Sequence, residues 1–222
     1  MGYSKEYITH KNLKHKANLW LDEIRDTSRN TDLRIDIDKA ALLVIDMQRY
    51  FLDKDSPAFT PAGLVILSNV SRFIDAFRRH SRPIIYTQHA HEIGDEGLMK
   101  FWWDNVVLYV TSPLISIHNA IKPKEGDIVI RKHLYDAFLN TPLDEILKSI
   151  GIKQLIITGV KTNLCCETTA RSAFMRDYLV FFPVDATAAS REEMHLASLR
   201  NLSYGFAVVG LTGNFLPFLN EE

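Results

Sequence analysis

Cysteine is nearly missing from this chain: of 222 residues only two are cysteine, and they are neighbours, Cys165 and Cys166. Adjacent cysteines rarely bridge each other, so no disulfide framework is available, and reduced thiols in a cytoplasmic setting are the expectation. An excess of either charge is missing too. Twenty-six basic residues against 27 acidic ones leave a formal net charge of -1. That balance withholds the electrostatic footprint of a nucleic-acid binder or a polybasic membrane anchor. No run of about 18 apolar residues is present to span a bilayer. Met1 to Lys16 is polar and holds no apolar core of the signal-peptide kind. There is no Gly-x-Gly-x-x-Gly, no Walker-type loop and no basic stripe with interleaved aromatics, so dinucleotide, phosphate-cradle and nucleic-acid functions lack a warrant. What is left is a globular composition, 46% hydrophobic and 24% charged, in a chain long enough for one large domain.

Hydrophobic spacing divides the chain. Leu13, Ala17, Trp20, Leu21 and Ile24 recur at intervals of three and four, predicting an N-terminal helix that packs on the main body or on a neighbouring subunit. Asp26 to Asp38 reads as a connection. Residues 1–38 are therefore expected to form a helical extension, and residues 39–222 the main domain. From Ala40 short β-prone runs follow one another at Ala41–Ile45, Pro83–Thr87, Asp127–Arg131, Gln154–Thr158, Leu179–Pro183 and Phe206–Val209. Helical patterns lie between several of them, one marked by Leu64, Leu67, Val70, Ile74 and Phe77, another opened by Pro142, Leu143, Ile146 and Leu147. A third follows the cysteines, and a fourth covers about Arg191 to Asn201. This alternation predicts a single doubly wound α/β domain, a six-stranded parallel sheet flanked by helices. Ala90 to Lys124 has weak periodicity and the length of a lid or binding loop, and its cluster Phe101-Trp102-Trp103 argues against disorder.

In such a sheet, ligands bind at the carboxyl ends of the strands. The residues standing there are Asp46 and Gln48, then Gln88 and His89, then Lys132 and His133, and finally Lys161 to Cys165. A thiol at a strand-to-helix turn meets the positive end of a helix macrodipole, which favours thiolate; the competing reading is a buried small hydrophobe. Cys165 is assigned the reactive role and Cys166 packing. Asp46 is either a turn cap or a general base whose partial burial raises its pKa. Lys132 is either a solvated strand end or a charge favouring the ionised forms of Asp46 and Cys165. His89 and His91 fall on one side of their segment, but no further ligands complete a zinc set, and lid-base histidines are the simpler reading. No histidine neighbours the cysteines in sequence.

With these residues in place, the chain resembles the isochorismatase-like superfamily of cysteine hydrolases, which includes nicotinamidases, N-carbamoylsarcosine amidases, ureidoacrylate and biuret hydrolases, and isochorismatases. The matching pieces are Ala41–Gln48, Arg131–Phe138, Thr158–Cys165 and Asp185-Ala186-Thr187, and the likeness runs from about Asp38 to the end. The resemblance implies an Asp-Lys-Cys triad on Asp46, Lys132 and Cys165, and a cis peptide at Val160–Lys161. It also implies an oxyanion hole from the backbone N–H groups of Lys161 and Cys165. Phe174–Asp177 and Leu155–Val160 look particularly like true isochorismatases, which carry glycine where this chain has Cys165. The thiol therefore points instead to a cysteine-dependent amidohydrolase cleaving a small linear amide or ureido compound through a thioester. The alternative is vinyl-ether hydrolysis by Asp46 and Lys132 without the thiol. A non-enzymatic binding protein that keeps the fold is a further rival. Gln88-His89-Ala90-His91 does not reproduce the Asp-x-His pattern of the nicotinamidase metal site, so neither a metal nor another cofactor is expected and nicotinamide is disfavoured. Gln48, Phe51, Trp102 and Tyr135 are the expected pocket wall. The expected partners are a small-molecule substrate and further copies of the chain, as a dimer or tetramer, with no nucleic acid and no membrane.

Overall fold

Strand after strand of this chain enters the sheet from the same end. The structure, a computed structural model, describes residues 4–30 and 32–219. Helix α1 (Leu13–Ile24) precedes strand β1 (Ala40–Ile45), the short α2 (Arg49–Leu52), α3 (Pro61–Arg79) and β2 (Ile84–His89). The long connection that follows contains α4 (Gly97–Trp102) and leads to β3 (Ile128–Lys132), α5 (Leu143–Ser149) and β4 (Gln154–Val160). Then come α6 (Glu167–Phe174), β5 (Leu179–Pro183), β6 (Thr187–Ala188), α7 (Glu192–Gly205), β7 (Val208–Gly210) and α8 (Thr212–Phe215). Each strand pairs in parallel, in the order β3-β2-β1-β4-β5-β7. The six predicted strands are all present. A seventh, β6, pairs with the end of β4 through Gly159↔Thr187 and Val160↔Ala188. Two residues long, it leaves no hydrophobic run for a sequence reading to find.

The centre of the sheet is apolar because helices cover both of its faces. Every residue of β1 is buried, and so is β4 from Leu155 onwards. The edge strand β3 instead alternates, with Ile130 and Lys132 buried and Val129 and Arg131 exposed. Helix α3 starts with proline in its first turn, where the missing N–H costs no hydrogen bond. It buries Ile66, Val70, Phe73, Ile74 and Phe77 on one stripe. Full burial of side chains of this size stabilises by roughly 1.5–3 kcal/mol each.

The N-terminal helix packs on this same chain. Ala17, Trp20 and Ile24 are buried, Trp20 Nε1 donates to Glu192 Oε1 at 2.8 Å, and Lys16 Nζ pairs with Glu192 at 3.0 Å. Residues 4–30 thus share the hydrophobic core of the main body through Ile8, Leu13 and Trp20.

The long Ala90–Lys124 stretch is an ordered cover. His91 bridges to Tyr109 and Gln48 to Ile117, and Tyr109 Oη donates to Glu96 at 2.7 Å. Among the described residues no helix is long and apolar enough to cross a membrane.

Candidate active site

The strand order reverses direction between β1 and β4, and the loops leaving these two strands part there to form a crevice at the carboxyl edge. Gly159 makes the approach possible. Its φ of +115° lies in the region that disfavours side chains, and a Cβ on it would stand 2.1 Å from the Ile45 carbonyl oxygen. One residue beyond Ile45 is Asp46, itself at a positive φ of 49°. Two residues beyond Val160 the chain enters a π-helical turn, Thr162–Cys166, that carries both cysteines. The Val160–Lys161 peptide is cis, as the resemblance implied.

Asp46, Lys132 and Cys165 meet at the floor of the crevice. Lys132 Nζ lies 2.7 Å from Asp46 Oδ2, with both side chains fully buried. The same nitrogen donates to Cys165 Sγ at 3.3 Å and to the Leu134 carbonyl at 3.0 Å. The Lys132 ammonium thus joins the Cys165 thiol and the Asp46 carboxylate. Thr87 fixes that carboxylate from the next strand, donating its hydroxyl to Oδ1 at 2.6 Å and accepting the Asp46 N–H at 3.0 Å. Three strands therefore supply three interacting groups, as their positions at strand ends predicted. Cys166 is completely buried and fills the space behind the turn.

The electrostatics differ from the sequence reading in two ways. Burial alone would raise the Asp46 carboxyl, but the Lys132 ammonium 2.7 Å away outweighs it and holds the group below the ordinary carboxylate range. The expected upward shift is thus reversed. The strand-to-helix turn was expected to favour a thiolate at Cys165. Cys165 is instead 6% exposed inside the turn, and burial pushes its thiol up to about 12, with Lys132 pulling it down and Asp46 pushing it up. The resting site is a carboxylate, an ammonium and a neutral thiol, since Lys132 is held above its ordinary range by Asp46 and Cys165 despite burial.

Above this floor the crevice opens into a cleft of about 940 Å³, walled by Phe51, Phe59, Trp102, Trp103, Tyr135 and Leu164. Phe51, Trp102 and Tyr135 stand where the sequence placed them, although Trp102 is 71% exposed at the mouth. Trp103 is the deeper ring, and its Nε1 donates to Tyr135 Oη at 2.9 Å. Gln48 is not part of the wall. It is completely buried, donating to the carbonyls of His89 and Ile115 at 3.0 and 2.9 Å and accepting the His89 N–H at 2.8 Å. Strand-end position alone could not distinguish a side chain aimed at ligand from one that ties the cover to β2.

His89 and His91 do lie together, edge to face with ring centroids 5.0 Å apart, and both line the cleft. Burial, reinforced by the Lys132 charge, lowers His89 to about 3, so its ring is neutral. His91 Nδ1 faces Asp95 at 3.2 Å. Among the described residues no group of three His, Cys, Asp or Glu converges to hold a metal ion.

A further histidine escaped the sequence reading. His195 of α7 is buried against the turn that carries the cysteines, Nδ1 sharing a hydrogen bond of 2.8 Å with the Thr162 hydroxyl. Its ring lies 4.5 Å from that of Trp20. Its separation of 30 residues from Cys165 left no local signal, although it stands on the buried stripe of α7 with Ser198, Leu199 and Leu202.

The fold and these contacts describe a cysteine hydrolase built on a parallel α/β sheet. The chain belongs to the isochorismatase family, whose domain model matches residues 40–213. It is similar to Nicotinamidase 3 of Arabidopsis thaliana, 44% identical over 171 residues, covering 76% of this chain and 82% of the relative. It is also similar to enterobactin synthase component B of Escherichia coli, 33% identical over 203 residues, covering 89% and 70%. Among solved structures, a cysteine hydrolase from Pseudomonas syringae superposes with a TM-score of 0.82 at 27% identity, covering 87% of this chain and 96% of the other.

Proposed function

We propose that this protein is a cysteine-dependent amidohydrolase that cleaves the C–N bond of a small linear amide or ureido compound through a thioester. The observation that carries this reading is the Cys165 thiol at the floor of an apolar cleft, 3.3 Å from a Lys132 ammonium that pairs with Asp46 at 2.7 Å. Because the thiol holds its proton far more tightly than the carboxylate, deprotonation accompanies attack on the carbonyl carbon. Asp46 takes the proton as the C–S bond forms, and Lys132 balances the negative charge passing through sulfur. The tetrahedral oxyanion is received by the Lys161 and Cys165 backbone N–H groups, each donor contributing roughly 2.7–4 kcal/mol. Asp46 then protonates the departing ammonia or amine. Water attacks the thioester with Asp46 again accepting a proton, releasing acid and restoring the thiol.

The similarity to a nicotinamidase and to a cysteine hydrolase supports amide chemistry. The similarity to enterobactin synthase component B favours a second reading, vinyl-ether cleavage by Asp46 and Lys132 with the thiol as a bystander. The test is ammonia release from a panel of ureido acids, carbamoyl amino acids, simple amides and nicotinamide, alongside pyruvate release from isochorismate. Loss of ammonia release in Cys165→Ala by at least a thousandfold is expected. Undiminished ammonia release would sink the covalent mechanism, and pyruvate release that survives the substitution would establish the second reading.

A further inference from the structure

Inside the cleft stands a cationic side chain for which this reaction has no use. Lys161 was singled out for its backbone N–H, yet its side chain also lines the cleft beside Phe51, Trp103, Leu164 and Cys165. Its Nζ stands 5.8 Å from the Phe51 ring centroid and 5.9 Å from the Trp103 ring centroid. The other lysine of the site, Lys132, is neutralised by Asp46 at 2.7 Å. Among the described residues no carboxylate forms an ion pair with Lys161. Burial holds its ammonium below the ordinary lysine range. Asp104, the acid among the lining residues, is exposed at the mouth.

A half-buried cation without a counter-ion is unfavourable, and aromatic faces offset only part of that. A ligand carboxylate in the cleft would complete the pair, and low-dielectric walls would strengthen it. We infer that the Lys161 ammonium is the recognition group for a carboxylate on the substrate, its carbon skeleton held between Phe51 and Trp103, so that the site selects amide or ureido acids over neutral amides. This rests on the amidohydrolase reading for the reaction, although not for the binding.

Two measurements separate the two. First, benzoate and benzamide, equal in shape and different in charge, are titrated into Cys165→Ala and Cys165→Ala/Lys161→Met, reading the fluorescence of the cleft tryptophans. Benzoate binding at least tenfold tighter than benzamide, with that preference abolished in the double variant, is expected. Equal or tighter benzamide binding would overturn the inference whatever the chemistry proves to be. Second, ammonia release is measured for ureido acids against their own methyl esters in the wild type, Lys161→Met and Lys161→Arg. The acid-to-ester ratio of kcat/KM should fall at least tenfold in Lys161→Met, mainly through KM, and be largely kept in Lys161→Arg. An unchanged ratio would assign the lysine to packing or to thiol electrostatics and reject substrate recognition. Carboxylate-selective binding without ammonia release from any substrate would reject the amidohydrolase reading and leave the inference standing.

Discussion

Asp46 and Lys132 form an ion pair of 2.7 Å from which water is excluded, one partner from the end of β1 and the other from the end of β3. A buried pair is worth little compared with apolar packing, but half of one is expensive. Asp46→Asn should therefore destabilise by about 3–5 kcal/mol, leaving Lys132 charged and unpaired. The double variant Asp46→Asn/Lys132→Met should lose clearly less than the two single variants added together. Urea unfolding of all three against the wild type gives the coupling, and strict additivity would contradict a paired resting state.

The neutral thiol predicts how the free enzyme is alkylated. With Cys165 near 12, the thiolate fraction grows about tenfold per pH unit, and so should the rate of iodoacetamide labelling between pH 7 and 9. Lys132→Met should slow labelling further, because the ammonium is what pulls the thiol down. A rate already level below pH 8 would mean a preformed thiolate.

Gly159 should tolerate no side chain. Gly159→Ala places a Cβ 2.1 Å from the Ile45 carbonyl oxygen at a backbone angle unfavourable to alanine. A loss of about 3 kcal/mol or more is expected from strain and overpacking together. Gly213→Ala is the control, since nothing lies within 4 Å of its added Cβ, and it should change stability by no more than about 0.5 kcal/mol. Thermal unfolding of both distinguishes a tight approach of β1 and β4 from general intolerance of substitution.

Stability should fall as the solution is acidified below neutrality. His89 and His195 are lowered to about 3 by burial, whereas an unfolded histidine titrates near 6.5. The unfolded chain thus binds more protons through that window, and the contribution is complete above about 6.5 and lost as pH falls towards 3. Each histidine removes about 1.4 kcal/mol per pH unit once its unfolded form is protonated. Asp46, held low, adds to the loss only below about 3.9. Urea midpoints at pH 7, 6 and 5 read this directly, and a flat profile would contradict two buried neutral imidazoles.

Much of the site could be read from strand ends. Asp46, Lys132 and Cys165 each follow an apolar run, and a parallel sheet sends all such residues to one edge. The same rule failed for Gln48, because a side chain at the edge can turn towards the ligand or towards the cover, and here it turned to His89 and Ile115. It also said nothing of His195, which reaches the turn that carries the cysteines from a helix 30 residues later. The seventh strand was missed because the Thr187-Ala188 pairing with β4 depends on tertiary placement, not on local hydrophobicity.

The sequence by itself determined the α/β alternation, the parallel sheet and the three strand ends that meet at the floor of the cleft, because burial on both faces writes apolar runs at a readable spacing. Only the tertiary structure decided the charge state of those residues. Protonation depends on burial and on neighbours from other strands, and both reversed the local expectation. Asp46 was pulled down by Lys132, and Cys165 was pushed up by the protein packed around it. The position of the Lys161 side chain between Phe51 and Trp103 belongs to the same category, since three separate segments meet there.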